Sequence, residues 1–288
     1  MKRRYEIVFL LIVVVLISIG IYGWYSSKYC LDTTCYEITS NKLTSPLRIV
    51  QLTDMHNSVF GADNKRLIAG ISKQSPDLIA LTGDMLNSNE EDVSIAVRLV
   101  ENLTNIAPVY FSYGNHEVDY ENNIGTDLKM AFEQAGAHVL DFAYEDIEIN
   151  GQQLRLGGLY GYCTPAKFLE TKEADPEECA FLEEFQSTEN YSILLTHMPF
   201  AWIVNDGISE WNIDCVFTGH DHGGLIRIPL IGGLYAPDQG LFPGKDCGLY
   251  YSKDKEKVMV LSRGLGKSGR IPRLNNVPEI LVVDILPE

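Results

Sequence analysis

Residues 109–117 of this 288-residue chain read VYFSYGNHE, a short run rich in aromatic residues that ends abruptly in a glycine and three polar residues. A run of this length and composition, bounded by glycine, is typical of a buried strand. The polar residues Asn115, His116 and Glu117 therefore follow directly on the end of a predicted strand.

The same arrangement of a short apolar run and a polar cluster recurs four more times. The other predicted strands occupy residues 47–53, 78–82, 191–196 and 215–218. They end in Asp54-Met55-His56, Gly83-Asp84, His197-Met198-Pro199 and Gly219-His220-Asp221-His222, respectively. Helices are predicted between the strands, over residues 64–74, 91–103, 122–135 and 176–185. This alternation indicates an α/β core with a largely parallel sheet, in which ligands bind beyond the carboxyl ends of the strands.

Five of the six histidines fall in these clusters, and only His138 does not. Taken singly, each cluster has a structural explanation, because Gly-Asp is a common turn and Asn-His can cap a helix. Taken together, carboxylate, amide and imidazole groups recur at one edge of a sheet, and these groups are typical metal ligands. Since burying polar groups without partners costs about 1 to 3 kcal/mol each, a metal site is the interpretation we favour.

The order D-x-H, G-D, G-N-H-E, H and G-H-x-H between residues 54 and 222 resembles the motif set of the calcineurin-like metallophosphoesterase family. The stretches 220–224 (HDHGG), 235–240 (YAPDQG) and 262–266 (SRGLG) resemble its bacterial membrane-anchored or exported branch, called YkuE-like. The resemblance implies a four-layered α/β sandwich over residues 47–288, in which two mixed β-sheets are flanked by helices.

The resemblance also implies a binuclear metal centre. Its ligands would be Asp54, His56 and His222 for one ion, Asn115, His197 and His220 for the other, and the bridging carboxylate of Asp84 for both. This set of two carboxylates, one amide and four imidazoles suits Mn, Fe, Zn or Co better than Ca or Mg. Two such ions can share a bridging hydroxide that attacks phosphorus.

His116 matches the catalytic histidine of the family, which does not bind metal but stabilises charge on phosphorus or protonates the leaving oxygen. An imidazole suits this role because its ordinary pKa lies near 6.5. Many members hold that ring with an aspartate three positions after the bridging one, where this chain has Asn87. An amide can orient the ring but does not stabilise an imidazolium as a carboxylate does, which favours a substrate with a good leaving group, such as a pyrophosphate.

Four further polar residues lie in or near the quoted motifs, and three of them are arginines. Asp221 lies between two histidines and is predicted to be a solvated residue at a strand end. Arg263, Arg270 and Arg273 could bind the phosphate of a substrate, as arginines often do. A structural role for each arginine is an equally weighted alternative.

The N-terminal residues predict a membrane anchor over 1–27, with a helix at about 7–26. No charge interrupts Ile7 to Ser27, which is long enough to span a bilayer. Three basic residues precede this stretch and aromatic residues close it, which predicts a single pass with an extracytoplasmic catalytic domain. Residues 28–46 are predicted as a short linker. A signal peptide that is cleaved to give a secreted protein is the alternative.

The composition constrains partners and cysteine chemistry. With 23 basic and 39 acidic residues the net charge is −16, which argues against a nucleic-acid partner. The six cysteines form an even set that an exported chain can oxidise, and pairing between chain neighbours is the first expectation among 15 connectivities. Cys215 is predicted to be a buried strand residue.

The sequence as a whole predicts a membrane-anchored metallophosphoesterase that hydrolyses a phosphate ester or a pyrophosphate. Its substrate would be lipid-linked or water-soluble. One alternative is a nucleotide or cyclic-nucleotide phosphodiesterase, which would use the same ions. The other is a non-catalytic binding module, which is disfavoured because such a module should lack ligands, and here all seven are present together with His116.

Overall fold

The computed structural model describes residues 2–288 except 91, 126, 164–173, 205, 268 and 270. This described part of the chain forms sixteen strands. In chain order they are β1 (Asp32–Ser40), β2 (Leu47–Leu52), β3 (Leu78–Thr82), β4 (Val109–Ser112), β5 (His138–Val139), β6 (Ala143–Ile149), β7 (Gln152–Gly161), β8 (Tyr191–Met198), β9 (Cys215–Thr218), β10 (Arg227–Ile228), β11 (Gly232–Gly233), β12 (Tyr235–Ala236), β13 (Gly240–Leu241), β14 (Gly248–Tyr251), β15 (Val258–Leu261) and β16 (Glu279–Pro287).

Eight α-helices accompany these strands within the described residues. They are α1 (Lys2–Tyr29), α2 (Lys65–Ser72), α3 (Ser94–Leu103), α4 (Asn115–Ile124), α5 (Leu128–Gln134), α6 (Pro176–Phe185), α7 (Phe200–Val204) and α8 (Gly207–Glu210).

Twelve of the strands form two mixed, six-stranded sheets. The first has the order β1-β16-β2-β3-β4-β5 and the second the order β14-β15-β9-β8-β7-β6. Neighbours among β2, β3, β4 and β5 run parallel, as do neighbours among β7, β8, β9 and β15. Parallel strands bring their carboxyl ends to one edge, which is where the polar clusters follow.

The two sheets pack face to face around a shared apolar core. Successive residues of a strand point to opposite faces, so in β3 Leu78 and Ala80 lie in this core, whereas Ile79 and Leu81 face helices α2, α3 and α5. The outer face of the second sheet packs against α6, α7 and α8 in a third cluster. The result is helix, sheet, sheet, helix, which confirms the four-layered sandwich.

The predicted helix over residues 122–135 is wrong in its boundaries, because two helices cover this region. Gly125 has a φ of 74° and ends α4, since this left-handed conformation cannot continue a helix. The side chain of Asp127 then accepts a hydrogen bond from the amide of Met130 and caps the start of α5.

Residues 28–46 differ from the predicted linker, since they contain strand β1. β1 pairs in parallel with β16 along its whole length, from Asp32 beside Glu279 to Ser40 beside Pro287. The strand lies at a sheet edge and is largely exposed, so it carries little of the apolar pattern that marks a strand in the sequence.

Helix α1 leaves most of its apolar side chains uncovered by the rest of the protein. By length and composition it is the one helix of the described chain that could cross a membrane, although a signal sequence satisfies the same criterion. Its last turns differ from the rest, because Gly23, Ser26 and Ser27 are buried against the domain. These small residues lie on one face of the helix, at i, i+3 and i+4.

All six cysteines are free in the structure, so the expected pairing between chain neighbours is not formed. Cys215 lies fully buried in β9, in agreement with the sequence.

Candidate metal centre

The polar clusters converge at the carboxyl ends of strands from both sheets. Asp54, Asp84 and Asn115 follow β2, β3 and β4 of the first sheet, and His197 and His220 belong to β8 and the loop after β9 of the second. Left-handed backbone conformations turn the chain sharply here. They occur at Asp54, His56, Asp84, His220 and His222, with φ between 46° and 71°. Such strained residues concentrate at functional sites.

One glycine is required for the turns to approach each other. A Cβ atom added to Gly114, the residue before α4, would lie 2.2 Å from Asp84 Oδ1 and 2.6 Å from the Asp84 amide nitrogen. Any side chain at this position would displace Asp84, so the glycine of the G-N-H-E motif fixes the position of the carboxylate.

The first group of side chains contains Asp54, His56 and His222. The His222 Nε2 atom lies 3.5 Å from Asp54 Oδ1, and His56 Nε2 lies 3.9 Å from the same oxygen. Their ligand atoms all lie within 4.8 Å of one another and the three residues are buried.

The second group contains Asp84, His197 and His220. The His197 Nε2 atom lies 3.2 Å from Asp84 Oδ2 and 3.3 Å from His220 Nδ1. Asp84 also belongs to the first group in space, since its Oδ2 atom lies 3.6 Å from His56 Nε2. The carboxylate of Asp84 therefore stands between the two groups.

Several buried polar atoms of these groups have no hydrogen-bond partner among the described residues. They are both ring nitrogens of His56, Nδ1 of His222, Oδ1 of Asn115 and Nε2 of His220, whose contact with Asp238 is an ion pair. Buried polar atoms are almost always paired, and an unmade bond costs about 1 to 3 kcal/mol. Each neutral imidazole offers one lone pair, and a cation would satisfy that lone pair as well as an amide oxygen, so the residues present fit transition-metal ions.

The protonation states of the histidines differ between the groups. Burial lowers the pKa of His56 to about 3 and lowers the pKa of His222 well below its usual value, so both rings offer neutral lone pairs. Burial also opposes charge on His197, but the carboxylate of Asp84 outweighs it and raises the pKa of His197. Before a cation binds, His197 and Asp84 form an imidazolium–carboxylate pair.

Two contacts outside the groups orient the imidazole rings. His197 Nδ1 lies 2.7 Å from the carbonyl oxygen of Thr82, and His220 Nε2 lies 3.0 Å from Asp238 Oδ2. Each contact leaves the opposite ring nitrogen facing the centre, an arrangement that is common around metal-bound histidines. The sequence analysis missed Asp238 as a site residue, although it lies in the quoted 235–240 stretch.

The carbonyl group of His222 is held by a residue close to the C-terminal strand. Asn276 Nδ2 donates to His222 O at 2.7 Å, and the Asn276 amide donates to Ser27 Oγ at 2.8 Å. The neighbouring Asn275 amide donates to Gly23 O at 3.1 Å. The last turns of α1 are thus joined to the loop that carries His222, a connection that nothing local in the sequence signals.

A second buried carboxylate, that of Glu117, supports the turns around Asp84. It accepts hydrogen bonds from the amides of Asp84 at 2.7 Å, Met85 at 2.8 Å and Gly114 at 2.8 Å. The final residue of the G-N-H-E motif therefore joins the loop after β3 to the start of α4.

His116 lies at the rim of the centre, with its side chain 17% exposed. Its backbone amide donates to Asp84 Oδ1 at 2.9 Å, and its Nδ1 accepts from the Ser88 amide at 2.9 Å. A neutral ring whose Nδ1 accepts carries its proton on Nε2, and this atom lies 3.9 Å from Asp84 Oδ2. Asn87, expected to orient the ring, instead donates from its side chain to His56 O at 3.2 Å.

Two of the three arginines considered for substrate binding have structural partners. Arg263 donates to Glu279 Oε2 at 2.8 Å. The buried Arg273 donates to the carbonyl oxygens of Arg263 and Gly266, each at 2.8 Å. These contacts favour the structural alternative for both, and Arg270 lies outside the described residues.

Asp221 is fully buried, which corrects the prediction of a solvated residue. It accepts a hydrogen bond from Gln239 Nε2 at 2.7 Å, and burial raises the pKa of its carboxyl group to about 7.

The chain is similar to known proteins. The family model for the calcineurin-like phosphoesterases matches residues 47–224. The uncharacterized metallophosphoesterase YkuE of Bacillus subtilis is 26% identical, covering 91% of this chain and 89% of that protein. The phosphodiesterase YaeI of Escherichia coli is 29% identical, covering 92% of this chain and 93% of that protein.

An uncharacterized metallophosphoesterase of Campylobacter jejuni is 28% identical over 84% of this chain. The match spans 60% of that longer protein. The placement in the YkuE-like branch stays a prediction.

Proposed function

The chain belongs to the calcineurin-like phosphoesterase family, and from this premise we propose that it is a metal-dependent hydrolase of phosphate esters or pyrophosphates. The observation that carries the proposal is the shared position of Asp84 between two buried groups of metal-ligating side chains. A single structural site would need only one such group, whereas phosphoryl-transfer centres commonly use two neighbouring ions.

In this proposal each residue of the centre has a defined role. Asp54, His56 and His222 would hold one ion, Asn115, His197 and His220 would hold a second, and Asp84 would contribute to both. When bound, two transition-metal ions such as Mn, Fe, Zn or Co would supply Lewis-acid activation of the phosphoryl group and a nucleophile near neutral pH. Thr82 and Asp238 fix the ring orientations of His197 and His220.

His116 is proposed to act through Nε2, either by stabilising charge on phosphorus or by protonating the leaving oxygen. Its Nδ1 accepts from the Ser88 amide, so the neutral ring carries its proton on Nε2, 3.9 Å from Asp84 Oδ2. This tautomer can donate a hydrogen bond to a phosphoryl oxygen, whereas transfer of a whole proton requires the imidazolium, in which Nδ1 is also protonated and the contact with the Ser88 amide is broken.

The proposal is tested with the purified full-length chain supplied separately with Mn, Zn, Fe and Co. We expect metal-dependent hydrolysis of at least one class among monoesters, diesters and pyrophosphates, which a chelator abolishes and added metal restores. Because the E. coli relative is named a phosphodiesterase, we include diesters among the substrates tested, with nucleotide and cyclic-nucleotide diesters among them. Binding of phosphate compounds without turnover under every metal would identify a binding module instead.

Replacing Asp238 by asparagine tests how the ring of His220 is oriented. The amide would keep the shape but lose the charge that holds Nε2 of His220, and such losses weaken metal affinity by roughly 10- to 100-fold. Chelator competition measures the affinity of the weaker site. Asp254→Asn, at an exposed turn, is the matched control and should bind metal normally.

Metal binding should release a proton, because the raised pKa of His197 keeps its ring protonated beside Asp84. The ion must displace that proton, so affinity falls as the pH falls below the pKa of His197. At pH 7 we expect release of about one proton per chain from this residue. Calorimetry in buffers of different ionisation enthalpy measures the number. A value of zero would mean that His197 does not ligate the ion.

We further propose that α1 anchors the protein in a membrane with the domain on the extracytoplasmic side. The length and composition of α1 and the basic residues in its first turn support this orientation. The contact of Ser27 with Asn276, which holds His222, would keep the metal centre close to the bilayer. Such a position favours a lipid-linked phosphate or pyrophosphate as substrate.

A further inference from the structure

Four large apolar side chains stand exposed on two small hairpins beside the metal centre. Leu230 and Ile231, in the turn between β10 and β11, are fully and 65% exposed, respectively. Leu241 and Phe242, at the end of β13, are 68% and 57% exposed. These four residues are called the hairpin patch below. Clustered exposed apolar side chains of this size commonly mark an interaction surface.

The two hairpins lie against each other. The Leu234 amide, just after β11, donates to Ile226 O at 2.7 Å, and the Phe242 amide donates to Leu234 O at 2.8 Å. Leu234 is three residues from Ile231, so about 10 Å of chain and one backbone hydrogen bond connect the two apolar pairs.

The hairpin patch is connected to the end of α1. Asn275 donates from its amide to Gly23 O at 3.1 Å and from its side chain to Arg227 O at 3.0 Å. Arg227 begins β10 and lies three residues before Leu230. Two hydrogen bonds and a few residues of chain therefore separate α1 from the exposed turn.

The position of Gly23 along α1 determines how deep in the bilayer the residues that contact it would lie. Gly23 lies four residues before Ser27, where the uncharged stretch ends, which is about 6 Å along a helix. A bilayer core needs about 20 residues, which is nearly all of the stretch from Ile7. If α1 spans the membrane, the residues that contact Gly23 lie within about 6 Å of the end of the membrane-spanning stretch, close to the lipid interface. Trp24 and Tyr25, exposed at the same level, are typical of that interface.

Basic residues also surround the end of α1. Lys28 and Lys267 line a pocket of about 350 Å³ together with Trp24. Ammonium groups at this level suit lipid phosphates, whereas the chain as a whole is anionic, with a net charge of −16. Apolar insertion would hold the domain to lipid in spite of that net charge.

From these observations we propose that the hairpin patch inserts into the interface of the bilayer that α1 crosses. The occupant of the patch is lipid, and the proposal rests on the membrane insertion of α1 proposed above. Two contacts, α1 and the patch, would fix the orientation of the domain and turn the loop from His222 to Arg227 toward the membrane surface.

The test uses the full-length chain in phosphatidylcholine vesicles with brominated acyl chains, which quench tryptophan fluorescence on contact. Leu230→Trp is introduced together with Trp24→Phe, so that Trp202 and Trp211, both buried, supply the remaining emission. We expect the emission of the Leu230→Trp residue to be lost in brominated vesicles. The matched control is Phe142→Trp, which is 45% exposed between β5 and β6, at the sheet edges opposite β1 and β14, and should keep its emission.

The outcomes separate this proposal from the one on which it rests. In the unaltered chain, quenching of Trp24 reports insertion of α1. If Trp24 is quenched and the Leu230→Trp residue is not, the insertion of the hairpin patch is overturned while the insertion of α1 stands. A blue-shifted but unquenched emission of the Leu230→Trp residue would indicate that a second copy of the chain, rather than lipid, covers the patch. An unquenched Trp24 would overturn the membrane insertion itself.

A second pair of variants links the patch to catalysis. Leu230→Glu with Ile231→Glu should lower turnover of a lipid-embedded phosphate ester, because two charged side chains would oppose insertion of the patch. Turnover of a water-soluble ester should not change, because the metal centre itself is untouched, so the ratio of the two turnovers falls. Ile124→Glu, at another exposed apolar position, should leave this ratio unchanged. Equal ratios in both variants would contradict a role of the patch at the membrane.

Discussion

Asp84→Asn is expected to lose at least one of the two proposed metal ions and nearly all activity. Asparagine has the shape of aspartate and can still accept the hydrogen bond that the His116 amide donates to Oδ1 at 2.9 Å. It lacks the charge that pairs with His197, 3.2 Å away, and that would hold two cations close together. We expect a decrease in turnover at least as large as the roughly 10²- to 10⁴-fold contributed by one acid–base group.

Metal content per chain, measured by elemental analysis after gel filtration, is the direct readout for this variant. The pKa of His197 should also fall, since Asp84 is what raises it. Asp146→Asn, which removes a carboxylate paired with Arg155 on the surface, is the control and should keep both ions. Two tightly held ions and normal turnover in Asp84→Asn would remove Asp84 from the bridging position.

The strands of the core could be predicted because each carries its signal within a few residues. The runs at 78–82 and 215–218 became β3 and β9 with the same boundaries, since buried parallel strands are continuously apolar. Their ends place Asp84 and His220 after the carboxyl ends of strands, as predicted, but the two strands belong to different sheets. The pattern of the sequence was therefore sufficient to predict that these side chains meet, although it predicted one sheet edge where the structure brings together the strand ends of two sheets.

The supports of the centre could not be predicted, because they depend on contacts between distant parts of the chain. Asn276 meets His222 across 54 residues and Ser27 across 249. Asp238 reaches His220 from a loop that has no regular pattern. The edge strand β1 was missed for a related reason, since its partner β16 lies at the other end of the chain.

His116→Ala should keep both ions and yet lose roughly 10²- to 10⁴-fold in turnover, the usual contribution of a positioned acid. The ions are kept because the backbone amide of residue 116, which contacts Asp84, is unchanged by the substitution. The loss should be smaller for esters of p-nitrophenol than for esters of alkyl alcohols, because an acidic leaving group departs without a proton.

His138→Ala is the matched control, since His138 is exposed on the edge strand β5 and pairs with Glu145, outside both groups of the centre. The two roles considered for His116 give different dependences on the leaving group. A proton donor would be the imidazolium, in which Nδ1 no longer accepts from the Ser88 amide, and its removal produces a loss that grows with the pKa of the leaving alcohol. A purely electrostatic role produces an equal loss for all leaving groups, because the charge on phosphorus is the same in each. Measuring both variants on a series of leaving groups therefore decides whether His116 protonates the leaving oxygen or only stabilises the charge on phosphorus.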